Sequence, residues 1–429
     1  MDSRSVIQNS IDYIEEHLTD GLTARRLADD AGFSLFHYYR LFQSAVGMPV
    51  MRYILRRRIL NALYDISRGE DMTDTAFSYG FDTFAGFYKA CRRETGYTPS
   101  EFAKKYKTKR PERIDLFKEE HIMLSHKRIT EILTHWGLES EPIRDIFCEN
   151  TGTLNDSACY VGDGYVLRFT ADRGGLSRHI ELAAALERAG LLAPSAVKTK
   201  DGRELVEEDG LFFCLTKRLD GTGVRTAELL GEGGNARARF LGEITAKLHS
   251  ALKTIDADVD DTGLYAVVKD WAMPETAKIL DIPEKLRGEY TSVFGGLHDG
   301  LPRQIIHRDP NPSNIITDGE KWGFSDFDLS ERNVRIFDPC YVSTGILSEC
   351  FTGEEAPPEW PDIYRNIIQG YDSIAGLSAE EKRAVPYVVL SIQFICTAWL
   401  ADKKYQDIFR TNIKMTKWMI DHFEEIKKL

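Results

Sequence analysis

The chain predicts two unlike folds in series: an all-α segment built as a duplicated helix-turn-helix, followed by an α+β segment of two lobes. Three observations carry this. Residues 5–106 show helical periodicity and contain one pattern twice. The following three hundred or so residues open strand-rich and turn mainly helical from Phe351 onward. The charge also divides: residues 1–110 hold 17 Lys and Arg against 14 Asp and Glu, and the remainder holds 38 against 53. A mildly basic front on an acidic body implies different partners for the two parts.

At 429 residues the chain exceeds one ordinary core. The expected boundaries are an all-α domain over 1–107, a linker over 108–119 and a second domain over 120–429, whose lobes divide near residue 220. The seven Cys are scattered and never form CxxC, which argues against a disulfide framework or a zinc site and fits a reducing, cytoplasmic setting. The N-terminus is polar and lacks an apolar signal segment. The longest uncharged run, Ala384 to Ala401, is interrupted by Pro386, Ser391, Gln393 and Thr397 and reads as a buried helix, so no membrane partner is expected. Nothing in the sequence specifies an oligomeric state.

The repeated pattern begins at Leu22, where LTARRLADDAGFS leads into FHYYRLFQSAVGMP, and again at Met72, where MTDTAFSYGFD leads into FAGFYKACRRETGYTP. Each half has an apolar helix, a Gly for a sharp turn, a Ser or Asp able to cap the next helix, and a second amphipathic helix. Between them YILRRRILNALYDISRG reads as a connecting helix with Arg56, Arg57 and Arg58 clustered on one turn, which could be merely a solvated face. The stretch KKYKTKRPER then adds a basic linker able to track phosphates or stay solvated.

Both halves, the linking helix and the closing GYTPSEFAKKY resemble the AraC/XylS regulator family over about a hundred residues. The resemblance implies double-stranded DNA as partner, with each second helix in a major groove. Carried over by position, the base-facing residues are Phe36, Tyr39 and Arg40 with His37 nearby in the first reading helix, and Phe84, Ala85, Gly86 and Lys89 in the second. The second set is poor in hydrogen-bonding groups, so readout there is expected to rest on thymine methyls or DNA shape.

In the second segment ENTGTLNDSACYVGDGYVLRF reads as two strands, with Gly152 and Asn155 where a loop could cover phosphates. Arg168 lies in the second of these, the apolar strand Tyr165 to Phe169, and Glu181 on the next helix, IELAAALERAGLLAP. A strand cation paired with a helix Glu fixes nucleotide phosphates in kinases, and the same pair can simply tie strand to helix. Leu215 to Lys217 sit where a hinge would hold an adenine edge. His249 reads as a packed structural His, and Asp256, Asp258, Asp260 and Asp261 as a solvated loop.

The most specific text is His307-Arg308-Asp309-Pro310-Asn311-Pro312-Ser313-Asn314, with Asp326-Phe327-Asp328 beyond an apolar strand. A carboxylate can take a proton from a hydroxyl, and Asn and Asp supply hard oxygens suited to magnesium. HRDPNPSNIITDGEKWGFSDFDLSERNVRIFDPCY resembles the catalytic segment of the aminoglycoside phosphotransferase and choline kinase-like superfamily. That resemblance implies a bilobal protein-kinase-like fold and ATP with Mg2+ as cofactors. It makes Asp309 the base, Asn314 and Asp326 the metal ligands, His307 a supporting group and Asp338 a loop stabiliser; Asp328 is a second nearby carboxylate without an assigned role. Arg168 stands where many kinases have Lys, which keeps the charge but changes its geometry. Residues 351–429 carry 12 acidic and 10 basic side chains, a balance that does not demand a polycationic acceptor.

Three readings follow: a DNA-binding regulator whose kinase-like domain senses a nucleotide or small molecule, a small-molecule phosphotransferase with an autoregulatory DNA-binding domain, and a pseudokinase that binds nucleotide without transfer.

Overall fold

The structure is a computed structural model that describes residues 3–106, 110–111, 113–117, 124–148, 150, 152–403 and 406–428. Of the expected linker, residues 108, 109, 112, 118 and 119 lie outside the described residues, as do Lys107, Glu149 and Thr151. The chain forms two compact units, residues 1–173 with 196–218 and residues 174–195 with 219–429.

The first unit opens with seven helices: α1 (Ser3–Glu16), α2 (Ala24–Asp30), α3 (Leu35–Val46), α4 (Val50–Ser67), α5 (Met72–Ser78), α6 (Phe84–Thr95) and α7 (Pro99–Lys105). The two helix-turn-helix halves are α2–α3 and α5–α6, joined by α4 as the spacing predicts. Their turns place Gly32 and Gly80 at φ 74° and 78°, a left-handed conformation that other residues adopt only at a cost. Caps set the start of each reading helix: Ser34 accepts from the His37 N–H, and Thr83 accepts from the Gly86 N–H at 3.1 Å. The second cap is therefore Thr83 and not the neighbouring Asp82. Tyr38, Phe42, Tyr53, Ile54 and Phe87 fill the core beneath both halves.

Of the three central arginines, Arg56 and Arg57 are buried and Arg58 is half-buried. Arg57 grips Glu15 with two hydrogen bonds of 2.6 and 2.8 Å, Arg58 donates to the carbonyls of Leu18 and Asp20, and Arg56 is buried against Asp145 at 2.9 Å. A merely solvated face is not what forms, because Arg56 and Arg57 lie among the buried residues of α4 with their stems packed inward.

The same unit continues into α8 (His126–Leu133) and an antiparallel sheet of β1 (Ile143–Phe147), β2 (Leu154–Val161), β3 (Tyr165–Thr170), β4 (Val206–Glu208) and β5 (Leu211–Lys217), in the order β1-β2-β3-β5-β4. Alternation along β3 turns Leu167 and Phe169 into a core with Ile132, Leu133, Phe213 and Leu215. That core covers one face of the sheet with α8. The edge strand β1 meets the helical region: Phe147 packs edge-on to Phe102 of α7, with ring centroids 5.1 Å apart, and joins a cluster with Ile59, Leu63, Cys91 and Tyr106.

The second unit begins with α9 (Arg173–Arg188) from Gly174 onward. After β6 (Thr222–Gly223) come α10 (Thr226–Leu229), α11 (Gly234–Leu252) and the short helices α12 (Leu264–Val267), α13 (Met273–Ala277), α14 (Glu284–Glu289) and α15 (Gly295–His298). Strands β7 (Arg303–Ile306) and β10 (Glu331–Val334) pair antiparallel, and β8 (Ile315–Thr317) and β9 (Trp322–Phe324) form a hairpin beside β6. Five helices close the unit: α16 (Phe337–Cys350), α17 (Trp360–Ala375), α18 (Ala379–Lys403), α19 (Gln406–Asp421) and α20 (Phe423–Ile426). Gly242 and Gly370 permit the close crossing of α11 and α17, because a Cβ at either would fall 2.0 Å from a backbone oxygen of the other helix. The uncharged run in α18 is a core helix: Gln393 and Thr397 bond to Thr416, and its Val388, Leu390 and Phe394 are buried.

Candidate functional site

The loop after β7 carries the candidate base. His307 is fully buried, and its backbone N–H donates to Asp338 Oδ2 at 2.7 Å, while the Arg308 N–H donates to Oδ1 at 2.9 Å. Arg308 sits at φ 75°, so the turn is strained, and this carboxylate holds it. His249 approaches the same Oδ2 with Nε2 at 2.7 Å and Tyr371 Oη with Nδ1 at 2.7 Å. Burial keeps the Tyr371 phenol protonated, so it donates to Nδ1 and the imidazole proton lies on Nε2. Burial alone would push the Asp338 carboxyl up, but the His249 hydrogen bond and the donors around it win and hold it below the ordinary value. Asp338 is thus the loop stabiliser that the resemblance implied, and His249 is the packed structural His expected.

Asp309 receives the Asn311 amide at 3.1 and 3.2 Å on its two oxygens, and Asn314 Nδ2 donates to its carbonyl at 2.9 Å. Asn311 Oδ1 in turn caps the short turn Pro312–Asn314, accepting the Ser313 N–H at 3.0 Å, which explains an Asn two residues after the base. Burial, and then the negative charge of Asp326, raise the Asp309 pKa against a lowering hydrogen bond from Tyr341. A raised carboxyl binds a proton more readily, which suits a general base.

The β8–β9 hairpin pairs Ile315 with Phe324, and Ser325 N–H donates to the Asn314 carbonyl at 2.9 Å. This brings Asn314 beside the segment that carries Asp326. His307 donates from Nε2 to the Ser325 carbonyl at 2.9 Å, and its ring packs tilted against Phe327 with centroids 4.8 Å apart. Four of the sequence-predicted residues, His307, Asp309, Asn314 and Asp326, therefore share one loop network. Asn314 spends its amide on Asp309, which leaves its amide oxygen as a hard donor, and Asp326 adds a carboxylate. Among the described residues no three His, Cys, Asp or Glu gather into an all-protein metal cage. An Asn and an Asp completed by phosphates and water are what Mg2+ takes in nucleotide sites, so the donor set fits that ion. Held by Asn314 and Asp326, Mg2+ would supply positive charge that offsets the nucleotide phosphates.

The candidates on the first unit lie elsewhere in the sequence. Gly152, at φ 62°, closes the loop between β1 and β2, with its N–H on the Cys148 carbonyl at 2.8 Å. Asn155 is on β2 and not in that loop, and its Oδ1 accepts from Ser157 N–H and Oγ at 3.0 Å. Arg168 is on β3, opposite Cys214 of β5, on the sheet face away from α8. Leu215 to Lys217 end β5, immediately before the break between the units after Arg218. On the second unit Glu181 is exposed on α9, whereas His179, which the sequence reading passed over, is buried with Nδ1 on the Phe327 N–H at 3.2 Å. The acidic loop is more engaged than expected: Asp260 pairs with Arg178 and Asp261 with Arg303.

On α3, Phe36 is 73% exposed with the Arg40 guanidinium 5.9 Å over its ring, His37 is exposed beside Phe33, and Tyr39 is half-buried. On α6, Ala85, Gly86 and Lys89 are exposed, and Phe84 is partly so. A shallow cleft there is lined by Phe84, Ala85, Tyr88, Lys89, Arg92 and Arg93. Tyr88, Arg92 and Arg93 lie beside the residues expected on this helix and add hydrogen-bonding groups next to Lys89.

A two-lobed α+β fold with an Asp–Asn–Asp loop network defines a phosphotransferase-class domain, here preceded by a regulator-type helix-turn-helix region. The chain belongs to the phosphotransferase enzyme family, which matches residues 149–376, and a helix-turn-helix domain matches residues 27–105. It is 34% identical over 97 residues to the HTH-type transcriptional activator AarP of Providencia stuartii, covering 22% of this chain and 72% of that one. It is 25% identical over 299 residues to a homoserine kinase of Zymomonas mobilis, covering 67% of this chain and 84% of that one. Among solved structures, a microcompartment-associated aminopropanol kinase aligns with a TM-score of 0.55 at 15% identity, over 71% of this chain and 99% of its own. The GDP and kanamycin complex of APH(2″)-IIia aligns at 0.51 and 16%, with the same coverage. At such identities these two establish the fold alone.

Proposed function

We propose that this DNA-binding transcriptional regulator uses its phosphotransferase-family domain as an effector that binds ATP with Mg2+ and a small hydroxylated or amino compound, and that occupancy biases DNA binding. Asp309 acts as base toward an acceptor hydroxyl and Asn314 with Asp326 hold the metal. Gly152 and Arg168 take phosphates, Glu181 is the paired carboxylate of the sequence reading, and Asn155 acts from β2. Phe36, His37, Tyr39, Arg40, Phe84, Ala85, Gly86 and Lys89 form the DNA face, in a cytoplasmic protein.

The observation that carries the coupling is the shared interior of the first unit. Strand β1 runs straight into the Gly152 loop, and its Asp145 and Phe147 are buried against Arg56 of α4 and Phe102 of α7. A ligand that binds differently to two arrangements of that strand would shift the helices packed on it by the same free energy. A second reading, a phosphotransferase with an autoregulatory DNA-binding domain, is favoured by the raised Asp309 carboxyl. Titration of the full chain with ATP, with and without Mg2+, followed by an ADP-release screen on amino and hydroxyl compounds, separates the readings. Metal-dependent binding is expected, and no binding would remove the effector role.

A further inference from the structure

We infer that His179, with its neighbour Arg178, is the positioning pair that holds Asp326–Phe327–Asp328 in the conformation that presents the metal ligand. The inference rests on the nucleotide–metal reading above. The sequence pointed to Glu181 as the carboxylate paired with Arg168, yet Glu181 is exposed and His179 is fully buried. His179 Nδ1 accepts the Phe327 N–H at 3.2 Å and lies 3.6 Å from Asp328 Oδ1. Arg178 donates from Nη1 to the Asp328 carbonyl at 2.7 Å and from Nη2 to Asp260 at 3.0 Å. One turn of helix therefore grips the segment at the Phe327 N–H and at the Asp328 carbonyl.

The segment needs such a grip. Asp326 has φ 70°, a left-handed conformation that costs a residue with a Cβ about 1–3 kcal/mol and persists only where neighbours over-determine it. The peptide between Asp326 and Phe327 sets where the Asp326 carboxylate points, and the N–H of that peptide is the one His179 takes. On the other side His307 donates to the Ser325 carbonyl and packs its ring tilted against Phe327. Backbone groups at 325, 327 and 328 are thus each fixed by a side chain, and the ligand lies between them. Because its Nδ1 lone pair is taken by the Phe327 N–H, His179 acts here as a backbone acceptor and not as a metal ligand through that nitrogen.

Two isosteric choices separate positioning from mere packing. An Asn oxygen falls near the place of Nδ1, and a Gln oxygen near that of Nε2. In the full chain, Mg2+ is titrated at fixed ATP and nucleotide binding is followed by fluorescence of a labelled ADP competitor, with melting temperature recorded for each variant. His179→Gln is expected to raise the Mg2+ concentration at half-saturation by about tenfold or more, the usual consequence of losing a group that orients a ligand. His179→Asn is expected to stay near wild type, and Arg178→Met to shift in the direction of His179→Gln. Wild-type metal dependence in His179→Gln, or equal losses in both variants that track melting temperature, would overturn the inference alone. A wild-type chain without Mg2+-dependent binding would overturn the nucleotide reading and this inference with it.

Discussion

Removing the Asp145 carboxylate tests whether the helical region and the sheet form one mechanical body. Asp145 and Arg56 are each 10% exposed at the side chain, 2.9 Å apart, with His126 3.5 Å away on the other carboxylate oxygen. Burial pushes the Asp145 carboxyl up, but the Arg56 charge and the His126 hydrogen bond outweigh it, and the net value lies below the ordinary one. Deleting one partner of a buried pair strands the other charge, at a cost of about 3–5 kcal/mol; the residual exposure puts Asp145→Ala at the low end, about 3 kcal/mol. Two compact units make a single global unfolding curve ambiguous, so the readout is local. Amide exchange in α4, α7 and β1 should quicken by roughly a hundredfold, at about 1.4 kcal/mol per factor of ten. The double variant Arg56→Met/Asp145→Leu should recover most of the protection, because apolar side chains of similar volume satisfy such a site. The pH dependence has a fixed sign: a depressed carboxyl contributes fully above its unfolded value of about 3.9 and loses the contribution as pH falls through the lower folded value. The difference between wild type and Asp145→Ala should therefore be flat from neutral pH to about 5 and shrink only below about 4. Exchange unchanged within about threefold, or a double variant as labile as the single one, would refute the reasoning.

Three further outcomes are expected. Arg40→Ala should weaken binding to a selected duplex by about 1–3 kcal/mol and relax its preference at one position, measured by competition among mutated duplexes. If a phosphoryl acceptor is found, Asp309→Asn should lower turnover by about 10²–10⁴ while leaving ATP binding near wild type, read by ADP release beside direct titration. Asp338→Ala releases two backbone N–H groups and His249 at once, each hydrogen bond to a charged group being worth about 1.5–3 kcal/mol, so calorimetry should show a clear fall in melting temperature.

The sequence made the repeat, the loop motif and the core helix legible because each is a local pattern: a Gly at a sharp turn, a carboxylate at fixed spacing, an apolar run with polar interruptions. What it hid depends on phase and partners. The stretch RHIELAAALERAG is apolar around most of its circumference, so helical periodicity does not show which of its polar residues, His179 or Glu181, is buried. Thr83 outcompetes Asp82 as cap by one position, a difference that propensity does not resolve. Arg56 to Arg58 looked like a charged face because their acceptors, Asp145, Glu15 and two carbonyls, are distant in the chain. The docking of β1 on α7 was invisible for the same reason, since IRDIF alone reads as an ordinary edge strand with a charge.

The most direct test of the account measures affinity for a duplex selected by the full chain from a random pool, with and without Mg2+-ATP and a panel of amino and hydroxyl compounds. The account predicts that at least one nucleotide or ligand state changes that affinity by about 5- to 150-fold, and that Asp145→Ala abolishes the change while the isolated ligand still binds. An affinity identical in every ligand state, on a chain that demonstrably binds Mg2+-ATP, would contradict it.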